Sequence, residues 1–113
     1  MSLPDMDEIS RRRPLCYNPV HKKFIRYDDI MSGKEKIIPV DSLSNDDFKK
    51  LVVERWRVLP HDIPKVQAIS GPPLSRDEVI RAIEQDEPFG RMTVEGDKSY
   101  LRDLLDEIQR ELE

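Results

Sequence analysis

Apolar residues in the last stretch of the chain fall at Leu101, Leu104, Leu105, Ile108 and Leu112, with Arg102, Asp103, Asp106, Glu107 and Arg110 between them. The spacing i, i+3, i+4, i+7, i+11 is one stripe of an α-helix and predicts a helix over Asp97–Leu112. Upstream, Ser75-Arg76-Asp77-Glu78 has the form of a capping box, in which the serine and the glutamate satisfy each other's backbone N–H. Val79, Ile80, Ala82 and Ile83 then form the apolar side of a short helix that ends near Asp86, before Pro88. The two predicted helices can pack as an antiparallel hairpin, with Val79, Ile80 and Ile83 covering most of the final stripe. At about 1.5 Å per residue the final helix is the longer, so its Ile108–Leu112 end outruns that cover.

An earlier helix follows the N-cap Ser44, with Asp46 and Asp47 in its first turn and Phe48, Leu51, Val52 and Trp56 on one face. Pro60 stops it near Val58 or Leu59. Before it, Leu15–Tyr27 contains the turn signal Asn18-Pro19 and the β-type residues Phe24, Ile25 and Tyr27. Lys36-Ile37-Ile38-Pro39-Val40 has strand chemistry too, with Pro39 confining it to an edge or a strand end. These read as two short strands in a loose hairpin. Lys65–Ile69 alternates weakly and is a candidate third strand within the proline-rich connector 60–73.

Glu87–Gly96 has two readings. Phe89, Met92, Gly96 and Tyr100 carry helical spacing back toward Pro88, whereas Gly90 and Gly96 would each cost roughly 1 kcal/mol inside a helix and Met92-Thr93-Val94 suits a strand. A structured loop is the expectation. Residues 1–14 show little period and end in Arg11-Arg12-Arg13-Pro14, as a mobile arm would. The fold class expected is α+β: two or three short N-terminal strands packed with one helix and closed by a C-terminal helical hairpin, all within a single domain over 15–113.

Composition narrows the function. Of 113 residues, 37% are hydrophobic and 37% charged, which leaves a lean core and a heavily charged surface. One cysteine rules out an internal disulfide framework and fits a reducing, cytoplasmic setting, and the acidic N-terminus has no apolar signal region. Arg11, Arg12, Arg13, Lys22, Lys23 and Arg26 form a basic stretch without an acid, interleaved with Tyr17 and Phe24. Such a stretch can bind phosphate backbones or other anions, although the net charge of −4 opposes nucleic acid as the main partner. The alternative is that it pairs with the chain's own C-terminal helix, since Glu84–Glu113 carries ten acids against four bases.

Catalytic signatures are absent. Cys16 and His21, with His61 forty residues on, are too few for a closed zinc site and lack the local features of a thiol nucleophile, so a small Cys16-dependent enzyme is the weakest reading. Neither cofactor nor metal is expected, and no membrane contact. What the residues favour is a small adaptor, accessory or regulatory protein that binds another protein or a second copy of itself. Leu105, Ile108 and Leu112 are its candidate contact residues, together with Trp56, either a core anchor or an interface hot spot. The alternative is a nucleic-acid-associated regulator that uses the basic stretch.

Overall fold

Asp7 accepts a hydrogen bond from the Ser10 N–H at 2.7 Å and so starts a short helix, α1 (Glu8–Arg12). A computed structural model describes residues 7–68 and 71–113 of the chain. In it, α1 is followed by an antiparallel hairpin of β1 (Cys16–Asn18) and β2 (Lys23–Ile25), then by α2 (Tyr27–Met31) and a short 3-10 helix at Val40–Ser42. Three longer helices complete the fold: α3 (Asn45–Arg57), α4 (Arg76–Glu84) and α5 (Pro88–Leu112). The protein is α+β, with one two-stranded sheet among the described residues.

The caps read from the sequence set the helix starts. The Ser44 hydroxyl accepts from the Asp47 N–H to begin α3, and Ser75 and Glu78 form both bonds of the capping box on α4. Val58 closes α3 two residues before Pro60. On α5, Leu101, Leu104, Leu105 and Ile108 share one apolar core with Val79, Ile80 and Ile83 of α4 and with Phe48, Leu51 and Val52 of α3. Cys16 and Ile25 bring the hairpin into the same core.

Five segments differ from the sequence expectation. The hairpin lies wholly within Leu15–Tyr27, with Cys16 opposite Ile25 and the turn at Asn18-Pro19. Lys36–Val40 is not its second strand: it runs without a ladder into the Val40–Ser42 helix, and the Ile38 N–H goes to the Cys16 Sγ at 3.4 Å. The connector contributes only an isolated antiparallel bridge between Val66 and Leu74, and Ile69 lies outside the described residues.

The largest correction is at 87–96, where every residue after the N-cap Glu87 is helix and not loop. Pro88 occupies the first turn of α5, where its missing N–H is no loss, and α5 runs unbroken for 25 residues, about 37 Å. Gly90 is buried against the backbone of α4, and Phe89 and Val94 pack on the core. Tertiary packing therefore overrides the propensity of two glycines. The segment expected to be an arm is also in part structured. Residues 8–12 form α1, Pro14 is fully buried and Arg13 is fixed by hydrogen bonding, while residues 1–6 lie outside the described residues.

Candidate functional site

The hairpin turn is shaped by Asn18, whose Oδ1 accepts from the N–H groups of Val20 at 3.0 Å and His21 at 3.3 Å, an Asx-type turn. Lys22 closes it in the left-handed region at φ 52°. Below the turn, Tyr17 and Phe24 face each other across the strands with ring centroids 4.9 Å apart. Between these rings and α3 lies an open groove of about 620 Å³. Its α3 wall carries Lys49, Lys50, Val53 and Arg57, its hairpin end Lys22, and its acidic positions are Asp46 and Glu84. Four cations thus face two carboxylates, on a chain whose net charge is −4.

Several of these cations have light partners. Lys49 Nζ donates to Asp86 Oδ1 at 3.0 Å and to the Glu84 carbonyl at 3.1 Å. Lys50 lies 3.7 Å from Asp47, and Arg57 lies 3.2 Å from Glu54. Such surface pairs contribute at most about 1 kcal/mol and exchange readily for an incoming carboxylate. Lys22 has no carboxylate partner among the described residues. The floor is largely closed: Tyr17 is 5% exposed and Val53 7%, whereas Phe24 is half-buried. Val20, at 82%, stands in solvent at the hairpin tip.

The basic stretch is not one surface. Arg12 pairs with Glu8 along α1, Arg11 lies 5.6 Å from the Tyr27 ring, and Arg26 Nε donates to the Arg12 carbonyl at 3.0 Å. Lys23 is held by Glu35. Arg13 turns inward, its Nε donating to the Arg55 carbonyl at 2.9 Å and its guanidinium lying 5.7 Å above the Trp56 ring. Of the six, only Lys22 lines the groove. None of the six pairs with the acidic C-terminal helix among the described residues; that helix instead reaches Asp41 through Arg102, at 2.7 Å.

A second cluster sits where α1, α3 and α5 meet. Arg55, 3% exposed, donates through Nε to Asp97 Oδ2 at 3.2 Å and through Nη1 to the Pro14 carbonyl at 2.9 Å, and lies 5.7 Å from the Tyr100 ring. Arg13, Arg55, Asp97, Ser10, Leu15 and Tyr100 enclose a cavity of about 250 Å³. Burial and the neighbouring Arg55 charge, partly offset by Asp97, pull the Arg13 guanidinium down to about 10.

The apolar candidates divide. Leu105 and Ile108 are buried in the core, and only Leu112, at 45% exposed, remains open at the end of the stripe. Trp56 is half-buried and packed on the core, with its Nε1 buried and without an acceptor among the described residues. Cys16 is fully buried, and burial pushes its thiol up to about 11 from an ordinary 9.0. Burial therefore favours the neutral thiol, the less nucleophilic form, near neutral pH. Because the folded value is raised, the stabilising neutral thiol is intact below pH 9 and is lost as the pH rises toward 11. A soluble disulfide reagent at pH 8 is accordingly expected to leave native Cys16 unmodified and to react at once in urea; rapid reaction of the native protein would contradict this placement. His21 is exposed on the hairpin turn and His61 is exposed beside Asp77. Among the described residues no group of three or more His, Cys, Asp and Glu side chains is placed to hold a metal, and no helix is long and apolar enough to cross a membrane.

Sequence reasoning missed two sets of residues. Asp46, Lys49, Lys50, Val53 and Arg57 recur at helical spacing and so form one face of α3, a signal the sequence carries beside the stronger apolar face. Arg55 stands at i+7 from Phe48 and i+4 from Leu51, a charge within the buried stripe, which is itself the mark of a buried ion pair. No protein-family model matches the chain, and neither a curated protein nor a solved structure matches it at a significant level.

Proposed function

We propose that the protein is a small binding module that docks an acidic, extended segment of another protein in the groove between the β1–β2 hairpin and α3. The observation that carries this reading is the cation-rich lining of the groove: Lys22 has no carboxylate partner among the described residues, and Lys49, Lys50 and Arg57 are held only by surface pairs to Asp86, Asp47 and Glu54, on a chain that is otherwise net acidic. Complementary charge of this kind accelerates encounter and selects the partner, while the half-buried Phe24 offers one apolar contact to fix register. The alkyl stems of the lysines add cover along the groove wall.

Two other readings draw less support. Self-association through the final helix would need an open stripe, and Leu105 and Ile108 are already covered by the chain's own core. Single-stranded nucleic acid would use the same cations together with Tyr17 and Phe24, but stacking successive bases requires open ring faces, and Tyr17 has almost none.

A labelled decapeptide rich in Asp and Glu with one leucine, its Lys-substituted counterpart and an oligo-dT of ten nucleotides form the test, followed by anisotropy on the full chain. The acidic peptide is expected to bind, to weaken steeply with salt, and to lose about tenfold in affinity in Lys22→Glu/Lys50→Glu. Preference for oligo-dT would transfer the groove to nucleic acid, and equal affinity of the variant would remove the groove from the interaction.

A further inference from the structure

The cavity at the junction of α1, α3 and α5 has no part in the groove proposed above. Two guanidinium groups, Arg13 and Arg55, face it with a single carboxylate, Asp97, so its charged lining has a surplus of one positive charge. Asp97 is engaged by Arg55 Nε through one oxygen. Among the described residues, Arg13 Nη1 and Nη2 and Arg55 Nη2 have no protein acceptor, although the Arg55 side chain is 97% removed from solvent, being 3% exposed. Because Trp56 Nε1 is the only buried side-chain N or O without a partner among the described residues, these Nη groups are open to the solvent of the cavity, where guanidinium N–H donors form directional, charge-assisted bonds to an oxyanion that reaches them.

We infer that this cavity binds a small oxyanion, a carboxylate or phosphate group, held between the Arg13 and Arg55 guanidinium groups. Its volume of about 250 Å³ accommodates such a group with a short organic portion and excludes a folded partner. Leu15 on the floor and the exposed Tyr100 ring on the rim provide the apolar contacts for that portion. The bound anion adds the missing negative charge, and Asp97 competes with it for Arg55. Burial is the larger cause of the lowered Arg13 guanidinium, and the neighbouring Arg55 charge adds to it.

Trp56 reports on the site, because it is the only tryptophan and Arg13 lies 5.7 Å above its ring. Inorganic phosphate and acetate are titrated into the full chain at constant ionic strength, with chloride as the control, and Trp56 emission and the melting temperature are followed. A saturable change with phosphate, acetate or both, and none with chloride, is expected. Saturation by phosphate alone identifies a phosphoryl group, and saturation by acetate as well a carboxylate. Arg13→Ala is expected to abolish it. Since that variant also loses the bond to the Arg55 carbonyl, Asp97→Asn provides the second reading: it removes the competing charge and is expected to bind the anion several-fold more tightly even though the unliganded fold is weaker. A purely structural staple would not tighten. Equal responses to chloride and phosphate, or an Asp97→Asn variant that binds no more tightly than the parent, would overturn the assignment.

Discussion

Gly90→Ala is expected to destabilise the protein by about 3 kcal/mol, although alanine is the better helix former by about 1 kcal/mol. A Cβ at this position would lie 2.1 Å from the Ala82 carbonyl oxygen, 2.3 Å from its carbon and 2.6 Å from the Ile83 nitrogen. All three atoms are backbone of α4, so the contact can be relieved only by moving one helix away from the other. The Glu87 N–H also bonds the same Ala82 carbonyl at 3.0 Å, which ties the α4–α5 connection to that spacing. Gly96 lies on the same helix with nothing within 4 Å of its would-be Cβ. Gly96→Ala is therefore expected to stabilise by roughly 0.8 kcal/mol. Urea unfolding followed by circular dichroism reads both, and similar midpoints for the two variants would contradict the close approach of α4 to α5.

Asp97→Ala is the other substitution with a large expected effect. It leaves the Arg55 guanidinium buried without its counter-charge, a loss of about 3–5 kcal/mol where one partner of a buried pair is removed. The pair itself contributes less than that, because both charges were taken out of water to make it. Arg55→Met/Asp97→Leu, which removes both charges and replaces them with apolar volume, is thus expected to recover more than half of the loss. The Pro14 carbonyl then lacks its donor, which keeps the double variant below the parent. A double-mutant cycle in urea measures the coupling, with about 2 kcal/mol expected. Additive losses would mean that the two side chains do not act as a pair.

What the sequence revealed and what it hid follow from the range of the interactions involved. Ser44, Ser75 and Glu78 act on backbone groups within one helical turn, and both helix starts were legible from them. The stripe Leu101–Leu104–Leu105–Ile108 was legible for the same reason, since a period can be read without knowing its cover. Residues 88–96 were not, because Gly90 belongs to a helix only where another backbone comes within reach, a fact of tertiary structure. Lys36–Val40 has strand chemistry but no ladder, as its Ile38 N–H is taken by a cysteine twenty-two positions away. At the candidate site, Lys22, Tyr17 and Phe24 could be singled out as a basic and aromatic stretch, whereas their alignment with Lys49, Lys50 and Arg57 needed the hairpin placed on α3. Arg13 belongs to a basic run in the sequence but is turned inward in the fold, because the Arg55 carbonyl and the Trp56 ring receive it.

The groove reading meets its most direct test in amide chemical-shift mapping of the labelled full chain titrated with the acidic, leucine-bearing decapeptide. Saturable shifts are predicted at Tyr17, Lys22, Phe24, Lys50, Val53 and Arg57, with Met92 and Leu112 unmoved. Shifts that centre on the exposed positions of α5, or a spectrum that does not change at neutral pH and low salt with the peptide in large excess, would contradict it.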